Sequence, residues 1–158
     1  MALSNGANLG LLANGLLGET HHTDLMKQWR GLDALVQASV KDKDLATPPG
    51  SPADGDRYIV AAAPTGAWVG HTGKIARYST VAVAWEFFTG KEGWTVWVDD
   101  EDAEYRHDGT SFKLARGAGA DAARPAGGIV GASYFNTTTS KPNWYTGSGW
   151  VDATGTAA

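Results

Sequence analysis

Three runs within residues 48–112 decide the fold: Gly55-Asp56-Arg57-Tyr58-Ile59-Val60, Trp94-Thr95-Val96-Trp97-Val98 and Glu104-Tyr105-Arg106-His107-Asp108-Gly109-Thr110-Ser111-Phe112. Aromatic and β-branched residues stand in short runs, each cut by Gly, Pro or Asp, which is the pattern of a small β domain with tight turns. Strands are expected near 57–62, 67–71, 74–78, 84–88, 94–98, 103–107 and 111–114. Asp108-Gly109 is a two-residue hairpin signal. Alternation puts Trp94, Val96 and Val98 on one face of their strand and Thr95 and Trp97 on the other. Both faces therefore carry an aromatic, so the sheet is covered on both sides or one face meets a partner chain.

Outward from this core, the β domain is expected over 54–114. Before it, Pro48-Pro49-Gly50-Ser51-Pro52 breaks any helix or central strand. A helix is expected over 23–46, with Thr23 as N-cap and Asp24 at the positive end of the dipole. Leu25, Trp29, Leu32 and Val36 follow at spacings of four, three and four, the a/d seam of a short coiled coil. The same stripe also suits a helix laid on its own sheet. Residues 1–22 form an arm whose Leu9, Leu11, Leu12, Leu16 and Leu17 alternate with Asn and Gly. Its glycines each cost a helix about 1 kcal/mol against alanine. Such an apolar segment needs a partner surface, either its own domain or another protein.

After the β domain, residues 115–128 are Ala, Gly, Arg, Asp and Pro only, and read as a linker. Residues 129–158 read as a C-terminal β-hairpin element of three strand-like pieces, marginal alone and needing the main domain or copies of itself.

The chain has 158 residues, no cysteine, seven tryptophans and a formal charge of −4. A mildly acidic chain is a poor match to a phosphate backbone, so no nucleic acid is expected. No apolar run spans a membrane, and the N-terminus lacks a secretory pattern. His21, His22, His71 and His107 show no metal-ligand spacing, and His107, before a hairpin turn, is expected to face solvent. Asp99-Asp100-Glu101-Asp102 lacks the spacing of a calcium loop and reads as a solvated turn. Ser148 lies in a Gly-Ser-Gly turn, not a nucleophile elbow. Gly117-Ala118-Gly119-Ala120-Asp121-Ala122 lacks the βαβ context of a dinucleotide loop. No catalytic residue, metal ligand or cofactor is expected, and the chain reads as a non-enzyme. The tryptophans serve either as core or as a platform for sugar rings.

Two sets of motifs are also familiar. Leu32-Asp33-Ala34-Leu35-Val36, Pro48-Pro49, Gly55 to Val60, Gly66-Ala67-Trp68-Val69-Gly70-His71, Ile75-Ala76 and Gly93-Trp94 resemble an uncharacterised domain family. That family occurs in tail-fibre and related structural proteins of bacteriophages, prophages and gene-transfer agents, and the resemblance covers roughly residues 8–113. Tyr134-Phe135-Asn136-Thr137-Thr138, Lys141-Pro142, Trp144-Tyr145, Gly147 and Trp150-Val151-Asp152-Ala153 are similar to a short element near the ends of phage fibre and virion surface proteins.

The resemblance implies a bacteriophage virion structural protein: a short tail fibre or adaptor, or a head, collar or baseplate decoration. It implies docking on tail, collar, baseplate or capsid proteins through the leucines of the arm. Cyclic symmetry is common in such appendages, so a homotrimer is expected, with Leu25, Trp29, Leu32 and Val36 as its seam. Many such proteins continue into a shaft or receptor-binding tip, whereas this sequence stops at Ala158. The alternative is a carbohydrate-binding adhesin module that meets a host glycan through exposed tryptophans. The expected fold class is mainly β with one N-terminal helix, a small antiparallel domain and a C-terminal hairpin.

Overall fold

The computed structural model describes residues 21–158. It is mainly β, with two sheets and one helix near the N-terminus, as the sequence patterning implies. Two compact units are distinguished, one ending at Ala38 and the other running Ser39–Ala158. The docking leucines Leu9, Leu11, Leu12, Leu16 and Leu17 lie outside the described residues.

In the first unit, helix α1 spans His21–Leu35. It already includes Thr23, which is therefore not the N-cap. It also ends well short of residue 46. The Val36 N–H still donates to Leu32 O at 2.9 Å, but Gln37 then takes φ +50, the left-handed turn that closes many helices. Along α1, Gly31 and Ala34 are buried, whereas Trp29 and Leu32 are exposed, as is Val36 just beyond it. Leu25 is half-buried.

In the second unit, β1 (Ser39–Val40) and β5 (Thr95–Val98) pair in parallel. The chain then leaves β1 to run beside β2 (Arg57–Ile59), with Lys41 N donating to Arg57 O and Ile59 N to Asp42 O. Strands β2, β3 (Ile75–Ser79) and β4 (Ala84–Phe88) form an antiparallel three-stranded sheet. Its core is Tyr58, Val60, Trp68 and Ala76, with Trp85 and Phe87 packed against them.

Residues 67–71, expected as a strand, are instead a 3-10 turn at Gly66–Trp68 followed by a tight bend. The His71 N–H donates to Trp68 O at 3.0 Å and the Gly73 N–H to Val60 O at 2.8 Å. Folding back in this way buries the Trp68 ring completely, 5.6 Å from Tyr58 and 5.1 Å from Trp85. An extended chain would offer only one strand-face position; the turn delivers the largest side chain of the segment into the core.

The second sheet has seven strands in the order β1-β5-β6-β7-β8-β9-β10, with β6 Ala103–His107, β7 Phe112–Gly119, β8 Gly128–Asn136, β9 Lys141–Tyr145 and β10 Trp150–Asp152. Its inner face carries Val96, Val98, Ala103, Tyr105, Leu114, Tyr134 and Trp150, all buried.

The linker reading of 115–128 is corrected here. β7 continues to Gly119 and pairs in parallel with β8, so the C-terminal strands extend one sheet and do not form a separate element. The connection between them is pinned by side chains. Arg124 Nη1 donates to Asn143 Oδ1 at 2.7 Å, Trp150 Nε1 donates to Pro125 O at 2.9 Å, and the guanidinium lies 5.6 Å from the Trp150 ring centroid. Small residues gave no apolar alternation to read, yet they allow a backbone ladder close to its neighbours. A Cβ on Gly117 would already meet Ala103 Cβ at 3.2 Å.

The turn after β6 holds four residues, not two. Asp108 Oδ1 accepts from the N–H groups of Thr110 and Ser111 at 2.8 and 2.9 Å, and Asp108 Oδ2 pairs with Lys113 Nζ at 2.6 Å. The Lys113 ammonium and these N–H donors hold the carboxyl well below the usual carboxylate range. Its charge-dependent stabilisation is fully present above the unfolded value of about 3.9 and is lost as pH falls through the lower folded value. Asp108→Asn is therefore expected to melt below wild type at neutral pH, with the difference shrinking below pH ~3.9 in a series of thermal melts.

Candidate binding face

Alternation along the strands leaves one row of the large sheet facing outward. Register aligns Trp97 with Glu104, Glu104 with Arg116, Arg116 with Ser133, Ser133 with Trp144 and Trp144 with Val151. Beside that row, Ala118 pairs with Phe135 and Phe135 with Pro142. A β-bulge lets this alignment form, since Tyr105 faces Leu114 but the next pair is Glu104 with Arg116. The extra residue re-aims Arg116 outward while Leu114 stays buried.

Trp97, Phe135 and Trp144 on this face are 43%, 48% and 38% exposed, high for aromatic rings in the middle of strands. Between the aromatics lies an open depression of about 450 Å³, lined by Trp97, Phe135, Pro142, Arg116, Asp102 and Ser133 over the small residues Gly117 and Ala118. Arg116 Nη2 donates to Glu104 Oε2 at 3.1 Å.

The seven tryptophans divide between the two roles the sequence left open. Trp68 and Trp150 are buried, Trp85 and Trp94 are half-buried, and Trp29, Trp97 and Trp144 are exposed. Trp97 was legible as lying on the face opposite Val96 and Val98, and its exposure makes that face the outward one. Phe135 was not singled out, although Tyr134-Phe135 in an alternating strand already implied one ring on each face.

The expectation that His107 faces solvent is corrected. Its ring is buried, edge-on to Phe112 at 4.9 Å, and Nδ1 accepts from the Gly109 N–H at 3.1 Å. The β6 alternation that buries Ala103 and Tyr105 buries His107 too, and Gly90 makes room for it. A Cβ at Gly90 would stand 2.4 Å from His107 Cδ2, in a buried ring with no space to retreat. Gly90→Ala is expected to cost about 1–3 kcal/mol, as core overpacking does, measured by urea unfolding.

The Asp99–Asp102 run is a turn whose Glu101 is occupied by Lys43 at 2.8 Å and by the Tyr105 hydroxyl. Burial and the Glu101 bond push the Tyr105 hydroxyl up. Among the described residues, no three His, Asp or Glu side chains converge as a metal-ligand group.

Residues 28–113, more than half of the chain, match the family described as a protein of unknown function, DUF2793. The chain belongs to the DUF2793 family. No curated protein matches it. The DUF2793 region runs from within α1 to the start of β7. It contains Trp29, Leu32 and Val36 of the helix stripe but not Leu25, the three-stranded sheet and, of the outer-face depression, only Trp97 and Asp102. The remaining walls and floor come from β7, β8 and β9 beyond the DUF2793 match.

Proposed function

We propose that this DUF2793 chain is a non-enzymatic structural protein of a bacteriophage virion. It serves as a short tail fibre or adaptor, or as a decoration of the head, collar or baseplate. It assembles as a homotrimer and docks on other virion proteins through its N-terminal arm. The two sets of motifs that resemble fibre proteins, within residues 32–94 and 134–153, support the virion assignment.

The observation that carries the assembly reading is the apolar stripe of Trp29, Leu32 and Val36, which stays in solvent in the isolated chain. Trp29 and Val36 are 56% and 60% exposed, and aligned apolar side chains at that exposure mark an association surface. Their spacing is that of a coiled-coil seam.

Deleting residues 2–18 is expected to leave a folded, soluble β domain that no longer joins the particle, read by mass spectrometry of purified virions. Normal incorporation of the truncated chain rejects docking through the arm. Incubation with host polysaccharides is expected to release no reducing ends; turnover abolished by a single Asp or Glu substitution rejects the non-enzyme reading.

A second reading, that the chain also adheres to host glycans, is favoured by one feature. Trp97, Phe135 and Trp144 stand exposed together on a sheet face, beside charged and hydroxyl groups.

A further inference from the structure

We propose that the depression on the outer face of the large sheet is a binding site for a neutral, hexose-based oligosaccharide; this rests on the glycan-adhesion reading above and gives it a place. The walls and the floor differ in kind. Trp97 on β5 and Phe135 with Pro142 on β8 and β9 rise on either side, while Gly117, Ala118 and Ser133 keep the middle low. Strands are spaced by about 4.8 Å, so Trp97 and Phe135, three strand intervals apart, stand about 14 Å across, with room for a ring between them. The volume, about 450 Å³, falls among small-ligand sites of roughly 300–1,000 Å³.

A pyranose ring presents apolar C–H faces and a rim of hydroxyls that both donate and accept. Aromatic faces suit the first; the second needs both kinds of partner. Arg116 supplies donors only, the Asp102 carboxylate acceptors, and the Ser133 hydroxyl does both. Arg116 is already paired with Glu104, so with Asp102 alongside the site has no surplus positive charge to attract a uronate or phosphate. That balance selects a neutral sugar. A peptide added as an extra strand is excluded at this place, because β6, β7 and β8 are each hydrogen-bonded on both edges and the face offers side chains only.

The test uses the full chain on an array of neutral glucose, galactose and mannose oligomers, with uronate-containing oligomers beside them. Two variants are compared. Trp97→Ala removes one wall; Ala118→Trp fills the floor and leaves the wall aromatics in place. The expected result is retention of at least one neutral oligomer by the wild type. Each variant should weaken that binding about tenfold or more, the scale of one aromatic contact, with light-scattering mass and melting curve unchanged. Binding undiminished in both variants leaves glycan adhesion standing but overturns this site. Retention of none of the oligomers overturns both. A preference for uronate oligomers overturns the neutral assignment, and a changed oligomeric mass in both variants makes the face a contact between chains.

Discussion

Trp68→Ala is expected to remove about 3–5 kcal/mol of stability, the range for truncating a buried aromatic ring. Typical domains hold only about 5–15 kcal/mol in all, so the variant stands near the threshold of folding. Trp68 is fully buried and in ring contact with both Tyr58 and Trp85, so no neighbour can fill its volume without moving a second aromatic. Among the described residues its Nε1–H meets no acceptor, so the residue is held for its area and shape. Trp68→Phe should therefore cost clearly less than Trp68→Ala in denaturant unfolding. Equal costs for the two variants contradict the packing account.

Leu32→Asp with Val36→Asp is expected to have the largest effect on assembly. In the proposed trimer the stripe faces the threefold axis, and each Leu-sized side chain buried there contributes roughly 1.5–3 kcal/mol. The double variant replaces that gain with two carboxylates per chain near the axis, where like charges repel in a dry environment. Light-scattering mass should fall from three chains to one, or the chain should unfold if single chains are not stable. A mutant mass equal to that of the wild type rejects the helix as the seam. Because Leu32 and Val36 are exposed in the isolated chain, their replacement has little intrachain packing to lose.

The sequence was readable where the signal is local. β4, β5 and β6 fall where alternating aromatic and β-branched residues end at Gly or Asp, and the Val96/Val98 against Trp97 division was correct in detail. It was unreadable where a long-range partner decides. Residues 115–119 have side chains too small to show a period, and they become strand because β6 and β8 flank them. Residues 67–71 carry a strand-like composition, but burying Trp68 requires a turn. The helix expectation reaches residue 46 because no Gly or Pro stands between Leu32 and Thr47, whereas Gln37 takes a left-handed conformation just past the helix and Ser39 and Val40 are strand.

The candidate site shows the same division. Trp97 could be set on the face opposite Val96 and Val98 from its own strand. Its alignment with Arg116, Ser133 and Phe135 could not be read, because it runs through a bulge and a parallel pairing that no short stretch encodes. The helix stripe needed only its own spacing to be read: Trp29, Leu32 and Val36 are exposed, and Leu25 is half-buried.

An image reconstruction of purified particles decides whether the chain is a trimeric component of the virion. The expected map shows density for this chain on the particle with threefold symmetry, the stripes of Trp29, Leu32 and Val36 converging on the axis. Particles that lack the chain, or that carry it as isolated single copies with the stripe in solvent, contradict it.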